Sequence, residues 1–194
     1  MFLKVYRGFF VTLSLGLLSL SLPSSAFAMS IVKPKTSQSL PPFRDLRKVE
    51  IVPLQSKNNA SITSSSLYRH VVVENNFGKT TVLNATKKPI LFLAYWCPHC
   101  ERVVTLWKNH HVHFPNLVFV GYPNRTTFSQ AKSRAWDEIR SFHLPVVENQ
   151  VHFIIGQNLK QYVPSGFPEY IYYRDGKMKS MLGEYTWNVW NRVI

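Results

Sequence analysis

Apolar residues gather in blocks of two kinds along this chain. Continuous runs occupy residues 90–95 and 117–122, the first preceded by Lys87-Lys88-Pro89 and the second by Phe114-Pro115-Asn116. Such bounding predicts short strands buried on both faces. After each run the period changes. Val103, Val104, Leu106 and Trp107 recur at helical spacing, as do Phe128, Ala131, Ala135, Trp136, Ile139 and Phe142, the latter with Arg and Lys on the opposite face. The first helix is expected to end near His110-His111, and Pro145 stops the second. Strand, helix, strand, helix in this order predicts a parallel α/β core.

Weaker patterns flank that core. Residues 68–86 read as a hairpin: Val71-Val72-Val73, a turn at Asn75-Asn76-Phe77-Gly78-Lys79, and a return through Thr80-Thr81-Val82-Leu83. Residues 146–155 are expected to be extended, with a short helix at about 156–162. Glu169-Tyr170-Ile171-Tyr172-Tyr173, the Asp175-Gly176 turn and residues 178–182 give a second, stronger hairpin pattern. Residues 185–194, with Trp187 and Trp190, predict a short closing helix.

Upstream the composition shifts. Residues 29–66 are rich in Ser, Pro, Asn and Lys, which predicts a linker or loosely docked arm, with a candidate short strand at 48–54. Residues 1–28 have the layout of an export signal: Lys4 and Arg7, an apolar stretch from Phe9 to Leu22, and Ala26-Phe27-Ala28 as a cleavage site. The apolar stretch is shorter than the about 20 residues of a bilayer span, and retention as an uncleaved N-terminal anchor is the alternative. The chain thus divides into a signal at 1–28, an arm at 29–66 and a folded domain at 67–194. Localisation is expected to be exported: secreted, in a periplasm, or on the extracytoplasmic face of a membrane.

Charge changes the picture little. Lys and Arg number 23 against 10 Asp and Glu, a formal net charge of +13, spread along the chain without a block. Nucleic acid is the usual partner of such a balance, and export argues against it. Weak association with an anionic envelope surface fits better, beside the plainer reading of a soluble charged surface.

The chain has two cysteines, both in Trp96-Cys97-Pro98-His99-Cys100. The motif joins the first buried run to the first helix, so Cys97 is expected at the helix start, where Pro98 sacrifices no hydrogen bond. Two intervening residues let the thiols form a disulfide across one turn. Unpaired N–H groups and the positive end of the helix dipole favour the Cys97 thiolate, the nucleophile of disulfide exchange. Cys97 is therefore the expected attacking group and Cys100 the resolving thiol. His99 is expected to stabilise the thiolate by charge or hydrogen bond, and Trp96 to shape access. A structural disulfide would close too small a loop to stabilise much. A zinc site would need two more ligands and a second Cys pair is lacking. His110, His111 and His113 lie more than two turns further on, roughly 15 Å at about 1.5 Å per residue, and are expected as cations at a helix C-terminus.

The strand–Cys97-Pro98-His99-Cys100–helix unit resembles the thioredoxin superfamily over about residues 68–188. Gly166-Phe167-Pro168 ahead of a strand matches the place of that superfamily's cis-proline, and Asp175-Gly176 and Gly183 match as well. The hairpin at 68–86 and the extra segment at about 141–156 resemble the TlpA/ResA group of exported oxidoreductases, whereas Pro98-His99 is the dipeptide of DsbA-like oxidants. The resemblance implies a thioredoxin-like α/β fold: a central mixed sheet flanked by helices, with an N-terminal hairpin and a central insertion.

It also implies a thiol-disulfide oxidoreductase that uses Cys97 and Cys100 as a redox pair and needs neither cofactor nor metal. Its partners would be thiol- or disulfide-containing exported proteins and a membrane electron-transfer protein. Phe167 and Pro168 would offer a backbone edge to an extended substrate. The direction of electron flow stays open, since scaffold and dipeptide point opposite ways. The buried acid of thioredoxins, six residues before the first Cys, is replaced here by Leu91. Glu101 is then a candidate base, although an exposed helix position is the expectation for it. The alternative function is a metal-handling or redox-inert binding module on the same fold.

Overall fold

The computed structural model describes residues 54–156, 159–163 and 166–194. The signal at 1–28, nearly all of the candidate strand at 48–54 and most of the arm lie outside the described residues. Among these, no helix is long and apolar enough to cross a membrane.

The expected strand-and-helix alternation is present. Strand β1 is Ser61–Ile62, helix α1 Ser65–Tyr68, β2 Val71–Asn75, β3 Thr80–Leu83 and β4 Ile90–Leu93. Then follow α2 Pro98–Asn109, β5 Asn116–Phe119, α3 Phe128–Ser141, β6 Val151–Phe153 and α4 Leu159–Tyr162. The chain closes with β7 Glu169–Arg174, β8 Lys177–Leu182 and α5 Trp187–Trp190. The strands form one sheet in the order β1-β8-β7-β4-β5-β6-β2-β3. β4, β5 and β6 are parallel, and every other pairing is antiparallel. This is the expected α/β arrangement: a mixed sheet flanked by helices.

The continuous apolar runs are explained by two cores. Leu91 and Leu93 of β4 point with Leu117, Phe119, Val151 and Phe153 into one cluster, covered by Val103, Val104 and Trp107 of α2 and Ala131, Ala135 and Ile139 of α3. Ile90, Phe92, Val118 and Ile171 point to the other face, against Tyr68, Val71, Val73 and Tyr162. A strand buried on both faces has no polar alternation to keep. The stretch expected as an insertion supplies β6, which pairs with β5 on one side and β2 on the other. It therefore links the hairpin at 68–86 to the sheet.

Local chemistry sets the element ends. Thr127 caps α3 through a reciprocal capping box with Gln130. The β7–β8 turn places Asp175 and Gly176 at φ +54° and +72°, the pair of positive values that a two-residue hairpin loop requires. At the opposite edge from β3, Ser61 and Ile62 pair with Ser180 and Lys179 of β8. Gln55 forms a single parallel bridge to Tyr185.

Candidate active site

Strand β4 delivers the chain to the thiols. It ends at Leu93, and the Cys97 N–H donates to the Ala94 carbonyl at 2.9 Å, folding 94–97 into a turn. Cys97 is the N-cap of α2 with extended backbone (φ −93°, ψ 111°), and Pro98 holds the first helical position. Both cysteines are free thiols, Cys97 at 4% exposure and Cys100 at 0%. Their environments differ. The Cys100 sulfur accepts from the Ala94 N–H at 3.4 Å, inside the core. The Cys97 sulfur lies 3.8 Å from the Phe167 carbonyl oxygen, at the rim.

The two thiols are pushed apart in acidity. A hydrogen bond from the Cys100 thiol, with the backbone N–H groups of Cys100 and His99 and the charge of His99, outweighs burial and lowers Cys97 from 9.0 to about 7. Burial, then the neighbouring Cys97, push Cys100 well above 9.0. The helix N-terminus adds to the Cys100 hydrogen bond on the Cys97 side, presenting unpaired donors to one sulfur and not the other.

Two loops complete the rim. Phe167–Pro168 is a cis peptide bond. Trp96 donates through Nε1 to the Gly121 carbonyl at 3.0 Å and meets Phe167 edge-on, with ring centroids 5.8 Å apart. Gly121 makes this contact possible. It sits at φ +75°, and a Cβ there would come within 3.3 Å of Trp96 and 3.4 Å of Phe167. Trp96 thus packs on Phe167, and the Phe167 carbonyl ahead of Pro168 faces Cys97.

His99 has a further partner that the sequence did not indicate. Its backbone N–H and its charge favour the Cys97 thiolate, but its ring Nδ1 is bound by the Glu184 carboxylate and lies 2.8 Å from Arg102 Nη2. Arg102 grips the same carboxylate twice, Nε to Oε2 at 2.7 Å and Nη2 to Oε1 at 2.6 Å. These bonds hold the Glu184 carboxyl below the usual carboxylate range, against its burial, and raise Arg102. His99 and Arg102 are one turn apart on α2, so the pairing was half visible in the sequence. Glu184 follows the last strand and carried no local sign.

The buried acids are the second departure. Glu101 was expected on an exposed helix surface and is fully buried instead. The reason is its spacing: Cys97, Cys100, Glu101, Val104 and Trp107 fall on one stripe of α2, all of it facing the core. Across from it, Glu138 of α3 is also at 0% exposure, and neither of its carboxylate oxygens has a hydrogen-bond partner. Burial, then the charges of Glu101 and Cys97, push the Glu138 carboxyl well above its ordinary 4.5. Glu138 in turn contributes to the raised value of Cys100. Where thioredoxins place their buried acid, Leu91 is a fully buried core residue; the acids near this thiol pair come from two helices instead.

The histidines beyond the motif lie apart from the site. His110 is the C-cap of α2 and stacks flat on Trp187, centroids 3.8 Å apart. His111 and His113 line a cleft with His143, away from the thiols. Among the described residues, no group of three or more His, Cys, Asp or Glu converges to hold a metal.

No protein-family model matches this sequence, and no curated protein matches it. Among solved structures, it is similar to a secreted Mycobacterium tuberculosis disulfide oxidoreductase homologous to E. coli DsbE, at 12% identity and a TM-score of 0.40, over 58% of this chain and 81% of that one. It is similar to DsbF of the same organism at 16% identity and a TM-score of 0.42, over 64% and 92%. StoA from Bacillus subtilis gives 15% identity and a TM-score of 0.37, over 62% and 92%. Identities this low say nothing of chemistry, which is read from the thiols themselves.

Proposed function

We propose that this chain is an exported thiol-disulfide oxidoreductase that exchanges disulfides with protein substrates through Cys97 and Cys100. The observation that carries the proposal is the asymmetry of the pair: Cys97 caps α2, faces the Phe167 carbonyl and is held near 7, while Cys100 accepts from the Ala94 N–H and is held well above 9.0. The Cys97 thiolate attacks a substrate disulfide, forming a mixed disulfide and releasing one substrate sulfur as a thiolate that takes up a proton. Cys100 then loses its proton and attacks the Cys97 sulfur. The second substrate thiol leaves, and two electrons have passed from the dithiol to the substrate. Run backwards, the same steps oxidise a substrate dithiol.

Each neighbouring group has a place in these steps. Cys100 attacks only as a thiolate, and burial opposes that form, so a nearby acceptor must receive its proton. Glu138, with Glu101 beside it, is the group of matching burial. The Phe167 carbonyl, 3.8 Å from the attacking sulfur, is the acceptor on which an extended substrate backbone would pair during the mixed disulfide. The layout of residues 1–28 supports export, and an exported oxidoreductase requires thiol- or disulfide-containing exported substrates and a membrane electron-transfer partner. The TlpA/ResA-like hairpin favours a reductant and the Pro98-His99 dipeptide an oxidant. Glu184 partly compensates the cations beside Cys97, which supports a potential between the two extremes.

The test is trapping. Cys100→Ala should accumulate mixed disulfides with extracytoplasmic proteins through Cys97, and Cys97→Ala should accumulate few. Equal trapping by the two variants would remove the assigned roles.

A further inference from the structure

Glu184 is tied on both sides. Its carboxylate, 6% exposed, binds His99 and Arg102 of α2. Its backbone is bound to a residue far upstream. The Gln55 N–H donates to the Glu184 carbonyl at 3.0 Å, and the Thr186 N–H donates to the Gln55 carbonyl at 3.0 Å. The Gln55 side chain adds an Nε2 bond to the Leu182 carbonyl at 3.3 Å and accepts from Asn59 Nδ2 at 3.1 Å. Between these anchors lies Gly183 at φ +95°, where a Cβ would come within 2.9 Å of Gln55 Nε2. The positive φ favours glycine at this position. The Gly183 N–H donates to the Pro168 carbonyl at 2.8 Å.

The segment 183–186 has no ladder of its own. Strand β8 ends at Leu182, and α5 begins at Trp187 and spans one turn. The carbonyl of Glu184 and the N–H of Thr186 are both satisfied by Gln55. Without Gln55 these groups turn to water, and the backbone that aims the Glu184 carboxylate loses its fixed position. The charged groups felt by Cys97 are His99, Arg102 and Glu138. Glu184 compensates the first two.

We infer that Gln55 is a positioning residue of the thiol site: it fixes the backbone around Glu184, holds that carboxylate on His99 and Arg102, and so sets the charge that Cys97 meets. The short stretch of arm at 54–60 is thereby a working part of the site. The inference rests on the reading of Cys97 as the attacking thiol.

The experiment is a thiolate absorbance titration of Cys97 in the full-length protein, for wild type, Gln55→Pro, Glu184→Gln and the double variant. Proline lacks the N–H that Gln55 gives to Glu184. Loss of the compensating carboxylate leaves Arg102 and His99 free to favour the thiolate. In both single variants the Cys97 midpoint should fall, with the thiolate-to-thiol ratio at neutral pH rising about two-fold. In the double variant it should fall no further than in Glu184→Gln alone, because both changes remove one and the same contact. A wild-type midpoint in Gln55→Pro, or a shift that adds in full to that of Glu184→Gln, overturns the inference. Gln55→Ala keeps both backbone bonds and should leave the midpoint near the wild-type value, and a fall as large as that of Gln55→Pro overturns the inference. If Gln55→Pro does not fold, replacing the Gln55 backbone amide by an ester removes the same donor and is read by the two criteria above. Failure of the oxidoreductase proposal is seen separately, as absence of trapped mixed disulfides in Cys100→Ala whatever the titration gives.

Discussion

Cys100→Ala removes the hydrogen-bond donor that contributes most to holding the Cys97 thiolate. The drop of Cys97 from 9.0 to about 7 is a hundred-fold gain in the thiolate-to-thiol ratio, about 3 kcal/mol. Burial works against that gain, so the favourable contacts together exceed it. The substitution leaves the backbone N–H groups of His99 and residue 100 in place, and the charge of His99 with them. Only part of the depression should therefore be lost. The Cys97 midpoint is expected to rise by about one pH unit, with about a tenfold fall in the thiolate-to-thiol ratio at neutral pH. Cys100→Ser, which keeps a hydroxyl donor, should fall between the two. The assay is the rate of alkylation by iodoacetamide as a function of pH, which in Cys100→Ala reports a single thiol. A midpoint that stays at about 7, or falls, would refute the claim that the partner thiol is the chief stabiliser of the Cys97 thiolate.

Glu138→Gln should change how stability depends on pH. The folded-state value of Glu138 is raised above 4.5, so on raising the pH the unfolded chain releases this proton first, and stability falls from about 4.5 up to the folded-state value. Glutamine removes that loss. Its thermal midpoint should gain on wild type as the pH rises above 4.5, and a constant difference would speak against a raised folded-state value. In the same variant, release of substrate from the mixed disulfide should slow if Glu138 receives the Cys100 proton. Gly121→Ala meets both a positive φ and the Trp96 and Phe167 rings. A loss of about 1–2 kcal/mol in chemical denaturation is expected, with a changed Trp96 fluorescence, and wild-type stability would contradict the described packing.

The core and the thiol pair were legible because short-range patterns encode them. Residues 90–93 and 117–119 are buried on both faces and belong to the unbroken apolar runs, and the Cys97 spacing fixes its place at a helix start whatever surrounds it. The buried acids were legible in part. Glu138 lies three residues after Ala135 on the apolar stripe of α3, and Glu101 lies on that of α2. A carboxylate on such a stripe is normally a surface residue at its edge, which is how Glu101 was read. Only the approach of the two helices over the same sheet face buries both. Glu184 and Gln55 were not legible. Their roles come from contacts across 82 and 127 residues of chain, Arg102 to Glu184 and Gln55 to Leu182. Contacts of that kind leave no period in either segment. β6 was legible as part of the extended stretch 146–155, but its place in the sheet between β5 and β2 was not.

Redox equilibration of the wild-type protein with glutathione tests the central claim most directly. The account predicts one reversible two-electron transition between a Cys97–Cys100 disulfide and the dithiol. Its midpoint should lie between the thioredoxin value of about −270 mV and the DsbA value of about −120 mV. A pair that remains dithiol throughout that range, or that oxidises without reversal, would contradict it.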